Sequence, residues 1–341
     1  MRPAGSGTGF FVSRAGCVLT DEHVVEGCTQ VDVVPGNSQP VAVRVIGRDA
    51  RNDLALVEKK QTAGTFAAPR GDDTLDPALR EAVSRIEVPG TEAKIVVTSF
   101  RPPGEGPFPW IVLSHGTATT REANRAIGRN RNLPLARQWV RRGYAVLVPV
   151  RRGYGASEAE HAGDAYGGCA RPDFRRAGEG AARDLLATID WAKAQRDLDP
   201  RRWLLVGQSA GGFASIYTAS KRPEGLVAVL AFSSGRGGDP DKRPREPCGA
   251  ERMADLLAAI APQIAVPVLW FYAQNDEYIG PRVQTLWFES FRAAGGQGEL
   301  VVVPPFPERR GHGVLPAASG VPVWTAAVAG FFKSRGLALP F

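Results

Sequence analysis

The stretch LLVGQSAGG, residues 204–212, decides how the larger part of this chain is read. The apolar run WLLV, residues 203–206, has the look of a short strand, and SAGGFASIYTAS, residues 209–220, is compatible with a helix. Between them lies Gly207-Gln208-Ser209-Ala210-Gly211, a Gly-x-Ser-x-Gly pattern in a strand–turn–helix setting. The glycines let the backbone turn sharply without a Cβ clash and hold the Ser209 hydroxyl out beyond the strand end. The helix that follows would bring unpaired N–H groups and a positive dipole end to any anion forming there. A serine in an ordinary strand-to-helix loop is the bland alternative, and this context disfavours it.

Outward from that turn, short apolar strands alternate with amphipathic stretches. WIVLSHG, YAVLVPV, LVAVLAFSS, VPVLWFYAQ and ELVVVP read as strands, with LPLARQWVRRG, GAARDLLATIDWAKA, ERMADLLAAIA, RVQTLWFESFRAAG and VPVWTAAVAGFFKSR as helices between and after them. This alternation predicts an α/β fold, a mostly parallel sheet covered by helices on both faces. In the helix over 180–195, Leu185, Leu186, Ile189 and Ala192 recur at three- and four-residue steps, with Asp184, Asp190 and Lys193 expected off that face. Ahead of it, AVSRIEV and AKIVVTSF flank a Pro-Gly turn and predict a hairpin.

A serine nucleophile needs a base. His312, in ERRGHGVL after the last strand, is the only histidine C-terminal to Ser209. The first carboxylates past the strand VPVLWFYAQ are Asp276 and Glu277. The chain order serine, carboxylate, histidine is the one such a sheet uses, so Asp276 is the expected orienting acid, with Glu277 in reserve. Oxyanion donors are expected from the backbone N–H of Ala210 and from Gly116 or Thr117 in the loop after WIVLSHG. His115 is read as part of that loop's structure, not as a proton carrier.

These motifs together resemble an α/β-hydrolase over residues 81–341, similar to serine members of the dienelactone-hydrolase-like group. The resemblance rests on SHG (114–116), RRGYGASE (151–158), GQSAGG (207–212), YAQND (272–276) and GHG (311–313). Dienelactone hydrolase proper has a cysteine nucleophile where this chain has Ser209. Prolyl-oligopeptidase-type peptidases carry a tyrosine after the nucleophile, where this chain has Ala210. The resemblance therefore implies a serine hydrolase acting on carboxylic esters, with no metal or organic cofactor. A serine peptidase on the same fold is the alternative. The loop GRGGDPDKRPREPCGA, residues 235–250, is a candidate lid. Its basic residues and those of 121–131 would either favour an acidic substrate group or form a solvated surface.

Residues 1–62 read differently. TGFFVS, GCVLT, TQVDVV, PVAVRVIG and DLALVE are short strand-like runs. GTGFFVS (7–13), VLTDEHVV (18–25) and NDLALV (52–57) resemble the first barrel of bacterial trypsin-like peptidases, which would make His23 a base and Asp53 its orienting acid. Asp21-Glu22 departs from the Asn-Ala usual before such a histidine. That fold takes its serine from a second barrel, and here a linker over 63–80 leads into the α/β pattern instead. Gly36-Asn37-Ser38 precedes Asp53 and reads as a hairpin turn. The expectation is a small all-β half-barrel with a vestigial His23–Asp53 pair; a non-catalytic interaction module is the alternative of another class.

Composition narrows the remaining classes. No apolar run reaches the length of about 18 residues that suggests a membrane span. Net charge is +7, yet the arginines are scattered without interleaved aromatics, so nucleic-acid binding is not expected. Gly, Ser and Arg14 break the apolar stretch in the first twenty residues, so no signal peptide is expected there. The four cysteines lack a Cys-x-x-Cys pair, which argues against zinc. Bridges Cys17–Cys28 and Cys169–Cys248 would fit a periplasmic or secreted protein, and free thiols a cytoplasmic one. Export is slightly favoured.

Overall fold

A computed structural model describes residues 9–11, 18–25, 31–33, 41–49, 53–59, 75–159 and 161–341. The chain divides into two compact units, Met1–Ala67 and Ala68–Phe341. The smaller holds β1 (Gly9–Phe11), β2 (Val18–Thr20), the single-turn helix α1 (Glu22–Val25), β3 (Val31–Val33), β4 (Val41–Asp49) and β5 (Leu54–Lys59). The strands form one sheet in the order β1-β2-β5-β4-β3, and every pair in it is antiparallel. Val18, Val25, Val43, Ala55 and Val57 make its small core. Cys17, Cys28 and the Gly36–Ser38 turn lie outside the described residues, as does most of the 63–80 segment.

The larger unit is built on eight strands: β6 (Ala82–Glu87), β7 (Lys94–Phe100), β8 (Phe108–Ser114), β9 (Ala145–Val150), β10 (Leu198–Gln208), β11 (Leu226–Phe232), β12 (Val268–Ala273) and β13 (Gly298–Val303). Their order is β13-β12-β11-β10-β8-β9-β7-β6. The β6–β7 hairpin closes one edge antiparallel, and its partner β9 also pairs with β7 antiparallel. From β9 through β13 all pairs are parallel.

The apolar runs follow from burial on both faces. Along β10, Trp203 and Leu205 enter one core while Leu204 and Val206 enter the other. This is the two-residue alternation of a pleated strand with protein on each side. Trp203 stacks on Trp110 from β8, ring centroids 4.8 Å apart. One core is covered by α4 (Phe174–Lys193), α5 (Ala210–Ala219), α6 (Ala250–Ile260) and α7 (Pro281–Ala293). The other is covered by α3 (Leu133–Val140) and α8 (Val321–Ser334). The short helix α2 (Arg121–Arg125) buries nothing.

Two details depart from the periodicity reading. Helix α4 begins at Phe174, capped by the Asp173 carboxylate on the Arg176 N–H, earlier than residue 180. Asp184 is also fully buried. Arg152, in the loop after β9, brings both its backbone N–H (2.8 Å) and its Nε (2.5 Å) to that carboxylate. A long-range partner has overridden the polar stripe.

Candidate active site

Ser209, Asp276 and His312 all follow the carboxyl ends of sheet strands, where open parallel sheets place their ligands. Ser209 follows β10 directly and caps α5. Its backbone sits at φ 57°, ψ −124°, outside the ordinary regions for a residue with a Cβ. Holding a non-glycine residue there costs about 1–3 kcal/mol, and the surroundings must enforce it. They do so by close approach. A Cβ on Gly207 would overlap the Gly211 carbonyl, and one on Gly211 would overlap the Ser114 carbonyl. The Ser209 N–H donates to Phe232 O (2.9 Å), and its carbonyl accepts from Gly235 N–H (3.1 Å).

His312 is reached through a short 3₁₀ turn, Glu308–Gly311, after β13. Its Nδ1 lies 2.9 Å from Asp276 Oδ2 and 3.0 Å from Oδ1. Asp276 is fully buried, and its Oδ1 also accepts the N–H groups of Tyr278 (2.9 Å) and Ile279 (3.0 Å). A carboxylate held by backbone donors and facing Nδ1 fixes the imidazole as the Nδ1–H tautomer. Nε2 then carries the lone pair, and it makes no hydrogen bond among the described residues. Gln208, beside the serine, donates from Nε2 to the His312 carbonyl at 2.9 Å. Tyr278 stacks on the imidazole, centroids 4.2 Å apart at 25°. Glu277, the reserve acid, instead faces Arg310 at 3.6 Å.

The loop after β8 passes against Ser209: a Cβ on Gly116 would stand 3.1 Å from Ser209 Cβ. Among the described residues, no acceptor engages the N–H of Gly116, Thr117 or Ala210. His115 is buried. Its Nε2 accepts from the Arg151 N–H (3.1 Å), so its Nδ1 donates to Gly116 O (2.7 Å). Burial, then the neighbouring Arg151 charge, lower its pKa to about 3, so it is neutral in the working range.

Behind this loop lies a buried polar cluster that joins Arg151 and Tyr154 of the RRGYGASE motif to Asp164 and Arg236, a pairing no local window of sequence signals. Arg151 Nε donates to Asp164 Oδ2 (3.0 Å), and Arg236 Nη2 donates to the same oxygen. Tyr154 OH donates to Asp164 Oδ1 at 2.7 Å. Burial alone would raise the Asp164 pKa, but the Arg236 and Arg151 guanidiniums hold it well below the carboxylate range. Burial pushes the Tyr154 hydroxyl up to about 12. The arginines around the site are largely committed: Arg129 and Arg131 both pair with Glu81, and Arg310 pairs with Asp241.

Cys169 and Cys248 form a disulfide, Cα atoms 5.3 Å apart, joining the 161–173 segment to the 235–249 loop. That loop also holds the turn carrying Asp276, with Arg245 N–H on Glu277 O (2.6 Å) and Gly280 N–H on Arg245 O (2.9 Å). In the smaller unit, His23 lies in α1, and Asp53 is exposed with φ 53°. Among the described residues, no group of three or more His, Cys, Asp or Glu side chains could hold a metal ion. No helix among them is long and apolar enough to cross a membrane.

The larger unit is thus an α/β-hydrolase in fold. Its likeness to solved structures agrees. An esterase from Pyrococcus furiosus superposes with TM-score 0.55 at 17% identity, over 78% of this chain and 96% of that one. A Klebsiella pneumoniae protein described as a dienelactone hydrolase gives TM-score 0.50 at 18% identity, over 73% and 97%. An acylaminoacyl peptidase from Pyrococcus horikoshii gives 0.53 at 12%, over 93% of this chain and 47% of that one. The family model for X-Pro dipeptidyl-peptidases (S15 family) matches residues 90–240, and that for the trypsin-like peptidase domain matches 7–129. The two overlap over 90–129, where β7 and β8 pair within the α/β sheet, so the hydrolase match describes that stretch.

Curated relatives align through short segments only. A DegP-like periplasmic serine endoprotease of Bartonella henselae is 32% identical over 74 residues, and the HhoA serine protease of Synechocystis is 37% identical over 71. The chain spans only 15% and 18% of their lengths. Fold and family match together make the protein an enzyme, a serine hydrolase of the α/β-hydrolase fold, with a trypsin-like fragment ahead of it.

Proposed function

We propose that the protein hydrolyses carboxylic esters through an acyl-enzyme on Ser209. The observation that carries this reading is the Asp276–His312 pair, which leaves Nε2 as the available base at the serine elbow. Ser209 Oγ attacks the ester carbonyl as His312 Nε2 takes its proton. Asp276 stabilises the imidazolium that forms. The N–H groups of Ala210 and of Gly116 or Thr117 receive the oxyanion. His312 then protonates the leaving alcohol, and a water deprotonated by the same nitrogen releases the acid.

Hydrolysis of p-nitrophenyl acetate and butyrate by wild type, Ser209→Ala and His312→Ala tests it. Each variant is expected to lose about four to six orders of magnitude in turnover. Turnover retained within tenfold in Ser209→Ala overturns the assignment.

The S15 match favours a second reading, a peptidase on the same residues. Against it stands Ala210, where prolyl-oligopeptidase-type enzymes carry a tyrosine. Prolyl and aminoacyl p-nitroanilides, run beside the esters, separate the two. His23 and Asp53 are proposed to be vestigial, because the described strands after β5 all belong to the eight-stranded α/β sheet and none builds a second barrel. If the protein is a non-catalytic interaction module, Ser209 will not react with a fluorophosphonate probe.

A further inference from the structure

The buried cluster behind the nucleophile loop has an unbalanced charge. Two guanidiniums, Arg151 and Arg236, face one carboxylate, Asp164. Tyr154 and His115 beside them are neutral, and the nearby Asp184 carboxylate is offset by its own partner Arg152. Arg151 is wholly buried and Arg236 is 6% exposed, and Arg151 Nη2 and Arg236 Nε have no partner among the described residues. A buried cation without its counter-charge is expensive to keep, and nothing about the packing of an aliphatic core requires it.

Its contacts say what it acts on. Arg151 Nη1 donates to His115 O and to Ser114 Oγ, both at 2.8 Å. The Arg151 backbone N–H orients the His115 ring, whose Nδ1–H holds Gly116 O. Two successive carbonyls, of His115 and of Gly116, are therefore tied back toward the cluster. In a trans peptide the N–H points opposite to its C=O. Gly116 N–H and Thr117 N–H are thus turned away from the cluster, and Ser209 lies against Gly116. Fixing a peptide carbonyl on a cation also polarises the N–H of the same peptide.

We propose that Arg151 is the positioning residue of the oxyanion loop, acting with Arg236 as a preorganised positive charge behind it. This rests on Ser209 being the nucleophile. Arg151 touches no substrate. It presents the loop's N–H groups in the geometry the tetrahedral oxyanion needs, and the surplus charge stabilises that anion through a water-excluded interior.

The test uses the full chain, with kcat and KM for p-nitrophenyl butyrate and Ki for butaneboronic acid, which forms a tetrahedral adduct on the serine. Three variants serve: Arg151→Lys, Arg151→Met and Arg236→Met. Arg151→Met should lower kcat by about 10²-fold, the scale of one lost oxyanion donor. KM should stay within about threefold, and the boronate Ki should weaken in parallel with kcat/KM. Arg151→Lys keeps the charge but not the forked reach, so it should fall between wild type and Arg151→Met. Arg236→Met removes the surplus charge and leaves every loop bond in place, so it keeps the question open should Arg151→Met fail to fold. It should lose about three- to tenfold in kcat with the same parallel shift in Ki. Arg151→Lys and Arg236→Met both within twofold of wild type in kcat and Ki overturn the proposal. If wild type shows no Ser209-dependent turnover, the nucleophile assignment falls first, and this one with it.

Discussion

Replacing Asp276 by asparagine isolates what the buried carboxylate contributes. Both its oxygens lie about 3 Å from His312 Nδ1, and Oδ1 also accepts the N–H groups of Tyr278 and Ile279. An asparagine carbonyl in the Oδ1 position can keep the two backbone donors, so the turn 276–279 should stay folded. The stability lost should be about 1.5–3 kcal/mol, the range for a hydrogen bond to a charged group. The amide NH2 would then replace Oδ2 beside Nδ1. It is a donor, so it favours the tautomer with the proton on Nε2, the wrong one for taking the serine proton. It also withdraws the negative charge that stabilises the imidazolium. In triads where this exchange leaves the geometry intact, kcat falls about 10⁴-fold. The assay is p-nitrophenyl butyrate turnover at pH 7–8, with near-UV circular dichroism to verify the fold. A native-like Asp276→Asn retaining more than a tenth of wild-type kcat would refute the reasoning. A large loss in Glu277→Gln would then move the acid to Glu277.

His23→Ala and Asp53→Ala should each leave ester turnover within about twofold of wild type, because neither belongs to the proposed Ser209, Asp276 and His312 machinery and substitutions outside such features usually change little; loss of turnover in either, by the same assay, makes that unit part of the site. Cys248→Ser opens a bridge that spans 79 residues of chain; the chain-entropy account puts the lost stability at about 4 kcal/mol, read as a lower urea midpoint, and an unchanged midpoint in non-reducing buffer refutes it. His115 is held neutral when folded, at a pKa of about 3, against about 6.5 when unfolded. The unfolded chain therefore binds the extra proton between those values, so stability falls as pH drops through that window and rises as pH increases. His115→Asn should flatten the fall in urea midpoint between pH 6.5 and 4.5, and an unchanged slope overturns the attribution.

How much of this was legible in the sequence depends on the range of each interaction. The serine elbow is local: nine residues carry strand, turn and helix start, and the glycines at 207 and 211 are needed where backbones touch. The proposed base and acid are constrained for a different reason. Each follows a strand end; one histidine after Ser209 leaves no choice of base, while the adjacent Asp276 and Glu277 leave two candidates for the acid. Asp184 was not legible, because its place on helix α4 matches a solvent-facing stripe until Arg152, from 32 residues earlier, is brought onto it. Nor does the basic composition reveal which arginines are interior. A net charge of +7 with scattered arginines suggests a solvated surface or an acidic substrate, yet Arg151 and Arg236 are interior, and Arg129 and Arg131 are spent on Glu81.

The same contrast separates the chemistry of the site from its support. The proposed nucleophile, base and acid, Ser209, His312 and Asp276, each lie in the connection after a strand, so chain order constrains them. The residues that set the oxyanion loop come from two separate loops, Arg151 and Asp164 from the connection between β9 and α4 and Arg236 from the one after β11, and meet only when the sheet has formed. Their pairing spans 13 residues in one case and 72 in the other, outside any periodic pattern. A buried group whose charge is not balanced by its neighbours is then the most informative remainder, because the fold bears its cost without any return in packing. Here the remainder lies directly behind the peptide units that face Ser209. That placement makes charge, and not cavity shape, the property by which the loop should be tested.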